Sequence, residues 1–351
     1  MTRLIRPLVV ILIFFAALAG LATLLGPIEP LRDVPVVGEK WTHWRAHKDE
    51  FDTLFIGTSR TFRGVMPSIF DQLTAGAGVP TRSYNFGVDA MFPPEDAYVA
   101  EALLRDPPRN LRWVFIEQGL FISGFEGRPP TSVRTIYWHD WTRTRLCLRE
   151  TLWPKKRGVK WSKWFEPDDE KPSPASNALT HLHVFLLKAL NIGRGSSAWS
   201  RVVFNTPSNA GFLGLAADGF EPSSGDGVMR GHELERYERE YAERVKTPTR
   251  VVPLRPYSLE SFERQLRFAR KAGARTIFIV APTTGELSGH PAPELGVPTF
   301  DFRDLVKFPE LFAKEHRTDI AHMNAKGAEL YTRRLAEKFI ELAKTQPPTT
   351  R

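Results

Sequence analysis

With one cysteine, Cys147, the 351-residue chain can form no internal disulfide, and no Cys/His group in it has metal-ligand spacing. No metal or other cofactor is therefore expected. The chain also lacks an internal repeat, a long low-complexity tract and a block of like charges. Its charge balance is only mildly basic, +8 from 48 Lys+Arg against 40 Asp+Glu, which suits an anionic surface such as phospholipid headgroups or acidic glycans, or an unspecialised basic exterior. With 42% hydrophobic and 25% charged residues, the chain is neither disordered nor a multi-span membrane protein. At this length it can hold one large or two small domains.

Long apolar runs are equally scarce, and the one present is at the start. MTRLIRP carries Arg3 and Arg6 and leads into LVVILIFFAALAGLATLLG, residues 8 to 26, which has no charge. As a helix this run would be about 28 Å long, close to the thickness of a bilayer's hydrocarbon core. The cationic flank should remain in the cytoplasm and the rest should lie outside. Residues 1–26 thus read as a membrane anchor. A cleavable signal peptide is the alternative, because Ala17-Leu18-Ala19 fits a small-x-small cleavage site. Either reading exports the remainder of the chain, so no nucleic-acid partner is expected. Residues 27–50 read as a stalk, proline-rich and then charged, leading into a short amphipathic helix.

From 51 to 345 the chain alternates strand and helix. Strands are expected at 52–57, at 82–88 (RSYNFGV) and at 111–118 (LRWVFIEQ), the last with an unbroken apolar centre that suits burial on both faces. Helices are expected near 66–75, over PPEDAYVAEALLRD, and after Ser258, where Leu259, Phe262, Leu266 and Ala269 form a stripe. A strand should follow at 276–280. A long amphipathic helix capped by Asn324 should then carry Ala328, Tyr331, Leu335, Phe339 and Leu342 on one face. Such alternation predicts an α/β fold with a mostly parallel sheet and helices on both faces, whose chemistry lies at the carboxyl ends of the strands. Residues of about 125–255 break the rhythm. They hold Trp138, Trp141, Trp153, Trp161, Trp164 and Trp199 and read as an insertion, helical at 175–190 and 231–245. Its tryptophans suit lid packing, sugar stacking or a bilayer interface. His139-Asp140 and His181-x-His183 lack a partner motif and read as structural or solvent-facing.

One short stretch points to chemistry. In TLFIGTSRTF the first strand stops at Gly57, and Ser59 follows on the turn. A serine there is either a helix cap or a nucleophile. A nucleophile needs a base for its proton, and the base needs an acceptor on its other nitrogen. RTDIAHMNAKGAE, just before the last helix, supplies both in Asp319 and His322. In an α/β sheet the loop entering the last helix can lie beside the end of the first strand, which would bring His322 to Ser59.

In that order, Gly57-Thr58-Ser59, Gly87 and Asp319-x-x-His322 resemble the blocks of the SGNH (GDSL-type) serine hydrolases. The resemblance spans roughly residues 51–125 and 258–342. It implies a flavodoxin-like three-layer α/β/α sandwich and an acyl-serine intermediate. Ser59 would be the nucleophile, His322 general base then acid, and Asp319 its orienting partner, with the Ser59 and Gly87 N–H groups as oxyanion donors. The family's third block carries an asparagine in the oxyanion hole, whereas LRWVFIEQGLF has Glu117 and Gln118. Gln118 could donate in its place. Glu117 could face the substrate, and either residue could instead cap the strand or pair with an arginine. Arg60 and Arg63 could hold an anionic substrate, or be surface arginines.

The anchor, the GTSR block and the HMNxxG ending look most like envelope members, such as alginate O-acetylation and teichoic acid D-alanine transfer proteins. That likeness implies an esterase or O-acyltransferase on the periplasmic side of the cytoplasmic membrane. An envelope glycan or other acylated substrate and a membrane acyltransferase would be its partners. The alternative is a weakly catalytic binding or scaffold subunit of an envelope polysaccharide assembly.

Overall fold

The computed structural model describes residues 2–24, 31–32, 34, 36–119, 121–122, 125, 129–153, 173–190, 217–223, 229–246, 254–284 and 295–345. The chain divides into two compact units. One comprises Met1–Trp41, Ser123–Arg157 and Pro167–Ser208; the other comprises Thr42–Ile122, Gly158–Glu166 and Asn209–Arg351. Eleven α-helices and one five-stranded sheet are present among the described residues.

The second unit holds the sheet. Its strands are β1 (Thr53–Gly57), β2 (Ser83–Gly87), β3 (Trp113–Glu117), β4 (Arg275–Val280) and β5 (Thr299–Asp301). All neighbouring pairs are parallel, in the order β2-β1-β3-β4-β5. This is the doubly wound order whose direction of winding reverses between β1 and β3. β1, β2 and β3 are buried at every position, as expected for strands covered on both faces. Four strands lie within a residue or two of the expected positions. β5 was not expected, since three residues give no readable period.

Side chains alternate across the sheet. Phe55, Phe115, Ile277 and Ile279 face the helices Pro67–Gly76 and Ala325–Thr345, where Phe70, Leu335 and Phe339 complete the layer. Phe55 stacks on Phe115 at 4.5 Å, and the Phe339 ring meets Trp113 edge-on at 5.0 Å. On the other face Phe278 meets Phe262 of the helix Pro256–Lys271. That helix is tied to Glu95–Arg105 by the Arg264–Glu101 ion pair, 2.9 Å. Helices thus cover both faces, consistent with three layers.

The expected stalk and insertion boundaries both shift. Trp44, in the helix Val37–His47, is buried and packs with Phe51 and Tyr84, so the sheet unit begins inside the segment read as stalk. Aromatic area of this size outweighs the charge pattern that suggested a solvated linker. The helix Gly231–Lys246, read as part of the insertion, belongs to the sheet unit: its Tyr237 clusters with Met229 and Ile320.

The first unit holds the helices Thr2–Leu24, Val133–Ile136, Trp141–Thr151 and Pro174–Ala189. Only the last was expected within the insertion. Asp140 caps Trp141–Thr151 by accepting from Arg143 N–H. Trp161, Trp164 and Trp199 lie outside the described residues.

At the N-terminus a continuous helix forms, with Leu8 to Phe15 exposed. Among the described residues, however, no helix is long and apolar enough to cross a membrane. The first helix ends at Leu24, and residues 25–26 of the expected span lie outside the described residues.

Candidate active site

The polypeptide leaves β1 at Gly57 and turns at once into the short helix Ser59–Phe62. Gly57 leaves room for this turn: a Cβ there would collide with Thr61 Oγ1 and the Glu117 carboxylate. Gly87, level with Gly57 in the neighbouring strand, does the same for Phe62, whose backbone rests where its Cβ would be. The capping question has a definite answer. Thr58 is the cap, its hydroxyl accepting from Arg60 N–H at 3.2 Å. Ser59 occupies the first helical position, with its hydroxyl left for another partner.

That partner is His322. Its Nε2 lies 2.7 Å from Ser59 Oγ, across 263 positions of sequence, and its Nδ1 lies 2.7 Å from Asp319 Oδ2. A carboxylate only accepts, so Nδ1 carries the proton and a neutral ring presents an Nε2 lone pair to the serine O–H. The loop holding the pair organises itself. Asp319 Oδ1 accepts from Ala321 N–H at 2.7 Å and His322 N–H at 2.8 Å. The fully buried Arg317 guanidinium donates to the carbonyls of Leu311 and Ile320. Asn324 then caps the terminal helix, as expected, by accepting from Gly327 N–H. Burial alone would raise the Asp319 pKa. Hydrogen bonds and charge from His322, with the N–H groups of Ala321 and His322, outweigh it and hold the carboxyl at about 2.

Glu117 does not face a substrate. Its side chain is fully buried beneath the Ser59 turn. It accepts from Thr58 N–H (2.8 Å), Thr58 O–H (2.9 Å), Thr61 N–H (3.2 Å) and Thr61 O–H (2.6 Å), and pairs with Arg60 Nε at 2.7 Å. The alternative of an arginine partner therefore describes it, and its oxygens have no capacity left for a ligand. Asn85, which sequence reasoning passed over, clamps the same turn from β2. Its Nδ2 donates to the carbonyls of Thr61 (2.8 Å) and Val65 (2.7 Å). Its Oδ1 accepts from Gly87 N–H at 2.8 Å. Gly87 N–H is thus spent inside the protein and does not serve as the expected oxyanion donor. A polar residue at a position that alternation assigns to a buried strand face was the available signal.

A shallow, open cleft lies beside the serine, bordered by Ser59, Arg60, Arg63, Ala281, Pro282, His322, Met323 and Tyr331 among others. Gln118 does not border it; strand alternation turns it to the face opposite Glu117, so the expected oxyanion role is not met there. Arg63 borders the cleft, yet its guanidinium is forked onto Asp89 (2.8 and 3.2 Å) and donates to the Pro222 carbonyl. Arg60 is the better-placed cation. Its Nη2 and the Tyr331 hydroxyl are buried donors with no hydrogen-bond partner among the described residues. Neither does any described group accept from Ser59 N–H.

No protein-family model and no curated protein matches the chain. What the site can do therefore rests on its own geometry. That geometry is a hydroxyl, an imidazole and a carboxylate in linear relay, about 70% buried at the imidazole and carboxylate, with uncommitted donors alongside. Such an arrangement can deprotonate a serine as it attacks a carbonyl.

Two buried clusters were not foreseen. In the first unit His139, Cys147 and His181 come together. In the second, burial pushes the Asp96 carboxyl up from 3.8 to about 8, opposed by the Ala97 N–H and Gln265 and reinforced by Glu117 and Glu95. The folded protein thus keeps the Asp96 proton up to about pH 8, while the unfolded chain releases it near 3.8. Stability that this group contributes is full below that lower value and is lost as pH rises through the upper one. Each pH unit in the window removes up to about 1.4 kcal/mol. Urea unfolding at pH 5, 7 and 9 should show the wild type losing stability relative to Asp96→Asn. Parallel pH profiles for the two proteins would refute the assignment.

Proposed function

We propose that this protein is a serine acyl-ester enzyme of the SGNH type, an esterase or O-acyltransferase that works through an acyl-Ser59 intermediate. One observation carries the reading: the 2.7 Å contacts that join Ser59 Oγ to His322 Nε2 and His322 Nδ1 to Asp319. Ser59 Oγ attacks the ester carbonyl as its proton passes to His322 Nε2. Collapse of the tetrahedral adduct returns that proton to the departing alkoxide. Water or a glycan hydroxyl then attacks the acyl group and gives its own proton to His322 Nε2, and collapse of the second adduct returns that proton to Ser59 Oγ, freeing the serine. Asp319 holds the tautomer throughout. Ser59 N–H, Arg60 Nη2 and the Tyr331 hydroxyl are the donors at the cleft for the developing oxyanion, in the place of the family's asparagine.

The setting we propose is the outer face of the cytoplasmic membrane, with an envelope glycan as acyl acceptor or donor and a membrane acyltransferase as partner. The exposed Leu8–Phe15 face of the first helix and the flanking Arg3 and Arg6 support membrane association. A second reading, a binding or scaffold subunit, draws on the engagement of Gly87 N–H by Asn85.

A fluorophosphonate probe separates the two. The full chain should be labelled on Ser59, and Ser59→Ala should abolish labelling without changing the circular dichroism spectrum. A folded wild type that takes up no label would end the enzymatic reading and leave the binding subunit.

A further inference from the structure

The sheet unit accounts for none of the buried polar chemistry of the first unit, where two histidines and the single cysteine converge. His139 lies two residues before the helix Trp141–Thr151, next to its cap Asp140, Cys147 lies inside that helix, and His181 sits midway along Pro174–Ala189. All three are fully buried. His139 Nδ1 lies 2.6 Å from the Thr135 carbonyl. A carbonyl only accepts, so the ring proton is on Nδ1 and the Nε2 lone pair is aimed the other way. There it meets His181 Nδ1 at 3.0 Å, and the Cys147 sulfur completes a group whose ligand atoms all lie within 4.8 Å of one another.

We propose that His139, His181 and Cys147 form a binding site for a thiophilic divalent cation of the zinc class. Two neutral imidazoles and one thiol are the donor set that such cations prefer over magnesium or calcium. Zinc bonds of about 2.0 Å to nitrogen and 2.3 Å to sulfur place ligand atoms some 3.3–3.8 Å apart. The two nitrogens, 3.0 Å apart, would part by about 0.3 Å, and the sulfur would approach by up to about 1 Å. The Thr135 carbonyl acts as the outer partner that commonly fixes a metal-bound histidine. Aromatic walls exclude water, since the Trp138 ring stacks on His139 at 3.7 Å and Phe125 lies 4.9 Å from His181. Burial lowers the His139 pKa well below its ordinary value, with His181 and Lys188 acting in the same sense, and raises that of Cys147 well above the usual thiol value, helped by Glu150. Binding would shift the His181 ring proton from Nδ1 to Nε2, break the S–H bond and release that proton to solvent, and form an S–metal bond without any change of oxidation state. The cation would join two helices whose described spans are separated by residues 152–173.

The purified full chain, stripped with chelator and then reloaded with Zn²⁺, should retain close to one equivalent after desalting and show a higher melting temperature with Zn²⁺ than without it. Bound Co²⁺ should give a thiolate-to-metal charge-transfer band and strong tetrahedral ligand-field absorption. Cys147→Ala, close in size to cysteine and suited to a buried site, should lose the charge-transfer band. His181→Gln should weaken Zn²⁺ binding by at least about 100-fold. Retention of less than about 0.2 equivalents by folded wild type would overturn the proposal. Equal retention by the Cys147→Ala, His181→Gln double variant would do the same.

Discussion

Glu117→Ala should destabilise the protein by about 3–5 kcal/mol and leave no measurable acyl transfer. The substitution strands Thr58 N–H, Thr61 N–H and two threonine hydroxyls in a buried site and leaves the Arg60 guanidinium without its carboxylate. Glu117→Gln is the discriminating variant. An amide retains an acceptor for the turn but cannot pair with Arg60, so the fold should survive while esterase activity falls by about 100-fold. Chemical denaturation and turnover of an aryl acetate measure the two quantities separately. A Glu117→Ala protein as stable as wild type would show that the turn holds itself and needs no carboxylate from β3.

The second large effect concerns Asp319. In Asp319→Asn the amide oxygen can keep the bonds from Ala321 and His322 N–H, which places the NH₂ group against His322 Nδ1. An N–H facing Nδ1 forces the ring proton onto Nε2, where it can no longer accept from Ser59. We expect kcat to fall by about 10⁴ with little change in KM. Activity within tenfold of wild type would mean that the carboxylate does not set the tautomer. The same substitution carries a stability signature. The Asp319 carboxyl is held at about 2 against an ordinary 3.8, so its contribution is present above the ordinary value and is lost as pH falls toward 2. Acid unfolding of Asp319→Asn should lack that component.

The strands were legible because three of them are short apolar runs closed by glycine or a polar residue. Burial on both faces leaves such runs few alternatives. The relay was legible from order alone, a serine after the first strand and Asp-x-x-His before the last helix. What escaped was everything that depends on a contact across the sheet. Glu117 looked like a misplaced oxyanion residue because nothing in the linear order of residues says that Thr58 and Thr61 will point at it. Gly87 looked like a free donor because Asn85, two positions away, reads as an ordinary polar break in a strand. The His139, Cys147 and His181 group follows no recurring spacing, since it is made by packing two helices rather than by one loop. Trp44 and the helix Gly231–Lys246 were assigned by composition, whereas packing decides where they belong.

Ser59 and His322 are in contact yet stand near opposite ends of the sheet unit's sequence, and the residues that clamp the serine turn, Thr58, Asn85 and Glu117, all precede the imidazole in the chain. A ribosome will therefore have produced the residues of β1, β2, β3 and the whole serine turn long before the imidazole emerges. Until the segment from Asp319 onward leaves the exit tunnel and docks, the nascent polypeptide carries Ser59 without its imidazole partner. Premature termination anywhere in the closing helix should yield a silent product rather than a sluggish one.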